Sequence, residues 1–137
     1  METKYLSEEF VQNAIVKWLN KNGWLITSLA TTSQHGVDIR AKHSKYGRYY
    51  LIETKSSSSP EVDFVYSLGQ IITRMNHSGK TRYYFALGLT EKSAKIALRR
   101  VPYQIAKKLL LHVFSVDEEG NVIRYMPKDF ELNQNRE

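Results

Sequence analysis

The stretch Asp38-Ile39-Arg40-Ala41-Lys42, followed after a polar insert by Tyr49-Tyr50-Leu51-Ile52-Glu53-Thr54-Lys55, decides how this chain folds. Both segments have the apolar and β-branched character of strands, and Ser44-Lys45-Tyr46-Gly47-Arg48 between them has the composition of a turn. Residues two apart in a strand share a face. Glu53 and Lys55 therefore point with Leu51, and Ile52 and Thr54 point the other way. An apolar strand gains little from an acid and a lysine, because buried charge is costly unless it is paired or metal-bound. If the Asp38 strand pairs alongside, two carboxylates and an ammonium converge in one cleft suited to a hard divalent cation and a phosphodiester. The plain alternative is a surface ion pair at a strand end. The triplet alone carries little weight: Glu2-Thr3-Lys4 repeats it, and a shuffled chain of this composition holds roughly one acid-x-Lys by chance. Only the second copy ends a strand-like run.

Working outward, Ser7 with Glu8 and Glu9 opens a helix, since a hydroxyl caps the first turn and acids there favour the helix dipole. Val11, Ala14, Ile15, Trp18 and Leu19 form its apolar stripe, and Gly23 ends it. Strands are expected over residues 24–29, 37–42 and 49–55. A serine-rich loop follows, then a helix over 61–76 with Val62, Val65, Leu68, Ile72 and Met75 at helical spacing. Residues 82–88 read as a strand stopped by Gly88. A helix from about residue 90 to 109 is interrupted by Pro102. Residues 110–116 and 121–125 form a hairpin about an acidic turn, and the polar tail after Pro127 reads as frayed. The order α-β-β-β-α-β-α-β-β indicates an α/β fold, a mixed central sheet with helices on both faces.

The bulk properties narrow the class. At 137 residues with 42% hydrophobic content, the chain reads as a single globular domain, with a core over about 7–126 and the tail over 127–137. It has no cysteine, which excludes a disulfide scaffold and thiolate metal sites and points to a reducing cytoplasm. No secretory leader pattern or membrane-length apolar run is present. The net charge of +6 is concentrated around the 31–60 region and at Lys92, Lys95, Arg99, Arg100, Lys107 and Lys108. Either a polyanion partner or a solvated helix face accounts for it. His43, His77 and His112 lack partners at metal spacing, which argues against zinc.

A helix with N-terminal acids, then Gly36-Val37-Asp38, about fifteen residues, then Ile52-Glu53-Thr54-Lys55, then a helix bearing Gln70, resembles the PD-(D/E)xK nucleases. The resemblance covers about residues 7–90 and implies their restriction-endonuclease-like fold. Asp63-Phe64 followed by Ser67-Leu68-Gly69-Gln70 resembles excision-controlling-factor proteins of bacterial DNA rearrangement. The small size also suits Holliday-junction resolvases and homing endonucleases. The proline that the family carries before its aspartate is Val37 here.

On this resemblance Asp38 and Glu53 coordinate Mg²⁺, with Mn²⁺ as a substitute, and Lys55 activates water or stabilises charge. Gln70 contacts the scissile phosphate or the water. The acid expected from the first helix is either Glu8 or, by the resolvase spacing, Gln12. Phosphate contacts are expected from Ser33, His35, Arg40, Lys42, Lys45, Arg48, Ser56, Arg74, Arg99 and Arg100. Tyr49, Tyr50, Tyr83 and Tyr84 read as core and sheet surface, not base-stacking platforms. The expected activity is endonucleolytic cleavage of duplex or branched DNA by a homodimer or homotetramer, because cutting two strands needs two sites. Two rivals stand beside it: a DNA-binding accessory protein that keeps the fold without turnover, and an α/β module unrelated to nucleic acid.

Overall fold

Ser7 Oγ accepts the Phe10 N–H at 3.0 Å and so starts α1 (Glu8–Lys21) where the capping pattern places it. Gly23, at φ 85°, turns the chain out of the helix into β1 (Trp24–Leu29). In this computed structural model the described residues are 5–30, 38–75 and 82–134. β2 (Ile39–His43) and β3 (Arg48–Thr54) form the expected hairpin, and α2 (Pro60–Thr73) crosses to β4 (Arg82–Thr90). Pro102 divides the next helical segment into α3 (Glu91–Arg100) and α4 (Tyr103–Leu109). β5 (Leu111–Val116), β6 (Val122–Tyr125) and α5 (Pro127–Gln134) complete the chain.

The six strands form one sheet in the order β1-β2-β3-β4-β5-β6. β3, β4 and β5 run parallel at its centre, and the pairs β1–β2, β2–β3 and β5–β6 are antiparallel. Both crossovers put their helices on one face, where Leu51, Phe64, Ile71, Phe85, Leu87 and Phe130 pack together. The other face is covered by α1, whose Val11, Ile15 and Leu19 lie on Ile39, Ala41, Tyr50, Ile52 and Phe114. The alternation of β3 follows directly: Leu51 belongs to one layer and Tyr50 and Ile52 to the other.

Four expectations need correction. The stripe expected on α2 is not its core face: Val62, Val65 and Ile72 are exposed, and Asp63, Phe64, Ser67 and Ile71 are the buried residues. The tail is not frayed from Pro127 onward: α5 forms there, Asp129 Oδ2 accepts the Met126 N–H at 2.7 Å, and Phe130 is fully buried. One aromatic among polar residues gives almost no periodic signal, yet it anchors the helix. Gly88 does not stop β4, which continues to Thr90. Leu110 is not a strand residue but the left-handed cap of α4, at φ 53°.

Candidate active site

The strand register builds the site. Ile39 lies opposite Ile52 in the antiparallel β2–β3 ladder, so the next step sets Asp38 across from Glu53. The Thr54 N–H donates to Asp38 Oδ2 at 2.7 Å. Its hydroxyl is shared between that oxygen at 3.1 Å and Glu8 Oε1 at 3.4 Å. Gln12, one turn beyond Glu8 on α1, donates from Nε2 to the carbonyls of Asp38 at 3.1 Å and Ala30 at 3.4 Å. Asp38 is thus held through its backbone and through one carboxylate oxygen. Glu8, Gln12, Asn13, Ala30, Asp38 and Thr54 line a cleft of about 360 Å³.

Glu53 is 2% exposed, and Arg74 Nε meets its Oε1 at 3.4 Å. Burial first, then the charge of Asp38, push the Glu53 carboxyl up to about 7, against the pull of Arg74. Glu8 is raised for the same two reasons, burial and then Asp38, while the Lys55 ammonium and the Thr54 hydroxyl oppose the shift. Each of these carboxyls, when protonated, can donate a hydrogen bond to the Asp38 carboxylate, which adds to the effect. Glu8, Asp38, Glu53 and Lys55 therefore share one electrostatic neighbourhood, with more negative charge than its cations offset. Among the described residues no three His, Asp or Glu side chains already converge as a metal cage.

The other predicted residues disperse. Gln70 lies one turn before Arg74 on α2, and its Oε1 is buried with no partner among the described residues. Arg74 engages Glu53. Arg40 and Lys42 alternate with Ile39 and Ala41, which are buried under α1, so they face the opposite side of the sheet from Glu8. Lys45 and Arg48 lie at the far end of the hairpin, and Arg100 pairs with Glu61 at 3.1 Å. Arg99 is exposed beside Arg100 in the last turn of α3. Ser56 Oγ donates to Ser58 Oγ at 3.3 Å. Ser33 and His35 lie outside the described residues. Asp63 and Ser67 serve α2 itself: Asp63 accepts the Ser59 N–H at 2.9 Å, and Ser67 Oγ donates to the Phe64 carbonyl.

Two positions that sequence reading passed over support the site. Thr54, the middle residue of Glu-x-Lys, joins Asp38 to Glu8 across the strand end. Gly88 pairs with Thr54 in the β3–β4 ladder, and its carbonyl accepts the Lys55 N–H at 3.0 Å. A Cβ at position 88 would stand 2.5 Å from Ile15 Cδ1 and 2.8 Å from Thr54 Cγ2. Any larger residue would have to push aside the Ile15 tip or the Thr54 methyl where α1 closes on the sheet.

No family model matches this sequence, and no curated protein does. Among solved structures, the chain is similar to the crystal structure of a fdxN element excision controlling factor protein from Anabaena variabilis. The TM-score is 0.55 at 21% identity, over 86% of this chain and 98% of the other. At that identity the likeness establishes a shared α/β fold, which extends across nearly all of the excision factor. Among the described residues no helix is long and apolar enough to cross a membrane.

Proposed function

We propose that this chain is a Mg²⁺-dependent endodeoxyribonuclease of restriction, homing or junction-resolving type. The observation that carries the reading is that Asp38, at one strand end, lies within electrostatic reach of both Glu8 and Glu53, with Lys55 acting on Glu8. The donor set suits the metal: the acids are all oxygen ligands, and their proton affinities are raised first by burial and then by the charge of Asp38, both of which a bound divalent cation would offset. Asp38 and Glu53 would hold Mg²⁺ or Mn²⁺, with Glu8 better placed than Gln12 to assist. Bound there, the cation supplies an acidified water and neutralises charge on phosphate oxygens. Thr54 and Gln12 position Asp38. Lys55 brings a positive charge toward the phosphate, and Gln70 has an unpartnered oxygen one turn from Arg74 for the attacking water. The test is nicking of supercoiled plasmid with Mg²⁺ or with EDTA, comparing wild type with Glu53→Ala.

A second reading is a catalytically silent DNA-binding accessory protein of an excision system. Arg74 on Glu53 and the double hydrogen bond on Asp38 Oδ2 favour it, since both occupy oxygens a metal would use. So does the fold shared with an excision controlling factor. Wild type that binds DNA and never nicks it selects this reading.

Either protein would act on DNA in the cytoplasm. The homodimer or homotetramer that two cuts require has a candidate surface on α2, where Val62, Val65, Tyr66 and Ile72 are exposed without an intervening charge. Such an uncharged patch matches a second copy of itself. Light scattering should give an oligomer for wild type and a monomer for Tyr66→Glu.

A further inference from the structure

At the start of β3, opposite the acidic end, a pocket of about 410 Å³ is lined by Trp18, Trp24, Tyr46, Tyr84, Arg48 and Arg124 among others. Its size falls within the range of small-molecule sites. The Arg48 guanidinium lies 5.8 Å from the Tyr46 ring centre and 5.6 Å from that of Tyr84, and Arg124 lies 5.1 Å from the Trp18 ring. Among the described residues no carboxylate lines the pocket and neither arginine has an acidic partner.

A buried hydrogen-bond chain backs the pocket wall. Arg124 Nη1 donates to Tyr50 Oη at 3.3 Å, and Tyr50 Oη is 2.6 Å from His112 Nδ1. A guanidinium can only donate, so Tyr50 Oη accepts from Arg124 and its own proton is free for Nδ1, an arrangement that goes with the histidine proton on Nε2. Burial holds the His112 ring neutral, down to about 3, and pushes Tyr50 up to about 12. The ring of Tyr84 lies 4.8 Å from that of His112.

We infer that this pocket binds a nucleotide, its base against the aromatic rings and its phosphate on the guanidiniums of Arg48 and Arg124. Aromatic lining alone would also suit an organic cation, but two guanidiniums repel one. Inorganic phosphate alone would satisfy the arginines and make no use of the aromatic lining of Trp18, Tyr46 and Tyr84. A planar base carrying a phosphate uses both. The occupant is either a free mononucleotide or one residue of a single strand. The inference stands apart from the nuclease reading, because Arg48 and Glu53 lie about 16 Å apart along β3.

The test is titration calorimetry in EDTA with deoxyadenosine monophosphate, deoxyadenosine, inorganic phosphate and a six-residue oligodeoxyadenylate. The monophosphate should bind saturably, with the nucleoside and phosphate each about tenfold weaker. Arg48→Ala, at the exposed first residue of β3, and Arg124→Gln should each weaken the monophosphate about tenfold. An oligonucleotide that binds more tightly than the monophosphate and loses affinity in the same variants identifies a single strand as the source. Equal affinities identify a free nucleotide. The inference is overturned if neither nucleotide probe binds wild type at millimolar concentration, or if Arg48→Ala binds them as wild type does.

Discussion

β3 carries Tyr50 toward one end and Glu53 toward the other, and the two ends treat charge in opposite ways. At the Glu53 end, burial and a neighbouring carboxylate raise an acid to about 7. At the Tyr50 end, burial and a neighbouring guanidinium lower a histidine to about 3. In both places desolvation removes the charge of the buried group. What differs is the charge left over: the first end keeps surplus carboxylates and calls for a cation, while the second keeps surplus guanidiniums and calls for an anion.

The largest expected effect separates the ends by activity. Asp38→Asn or Glu53→Ala should lower Mg²⁺-dependent plasmid nicking by about a thousandfold or more, the loss expected when metal-assisted charge stabilisation is removed. The same variants should bind nucleotide at the Tyr50 end unchanged. Loss of both together would mean that the ends are one site.

Stability against pH gives the next contrast. His112 binds a proton less readily folded than unfolded, so its stabilisation is complete above about pH 6.5 and is lost as pH falls toward about 3. Between pH 6.5 and 4 this should cost wild type about 3 kcal/mol that His112→Gln does not lose. Urea denaturation across that range measures the difference in slope.

Gly88→Ala should disturb only the acidic end. Its Cβ must displace Thr54 or Ile15, which should destabilise the fold by about 2 kcal/mol and lower nicking, with nucleotide binding intact. The smallest effect concerns Glu53. Its folded-state proton affinity is raised, so its stabilisation is complete below about pH 4.5 and vanishes as pH rises through about 7. In metal-free buffer at pH 8, Glu53→Gln should therefore be more stable than wild type by up to about 2 kcal/mol. At pH 4 the gain should disappear.

Local pattern carried much of the architecture. The α1 stripe, the Ser7 cap, the hairpin around residues 38–55 and the break at Pro102 are short-range features, and each stands where periodicity and turn chemistry place it. α5 escaped because Phe130 is a single apolar residue whose partners lie on other elements. The acidic site was half legible. Strand alternation set Asp38 beside Glu53, as the β2–β3 register does, and turned Thr54 to the other face, where it meets Glu8; that Thr54 still reaches Asp38 was not legible. Alternation describes a continuous strand, whereas Asp38 sits at a strand end where its carboxylate reaches both faces.

The Tyr50–His112–Arg124 network had no sequence signature. Its members stand 62 and 74 positions from Tyr50, and nothing in their local surroundings marks them as a group. Sequence alone determined every element but α5, the sign of the net charge and the acids at the end of one hairpin, because these depend on residues close along the chain. Tertiary structure decided which oxygens already have partners, which charges are buried, and that two arginines and several rings enclose a pocket. Those properties depend on sheet order and helix placement, which set the distances between residues remote in sequence.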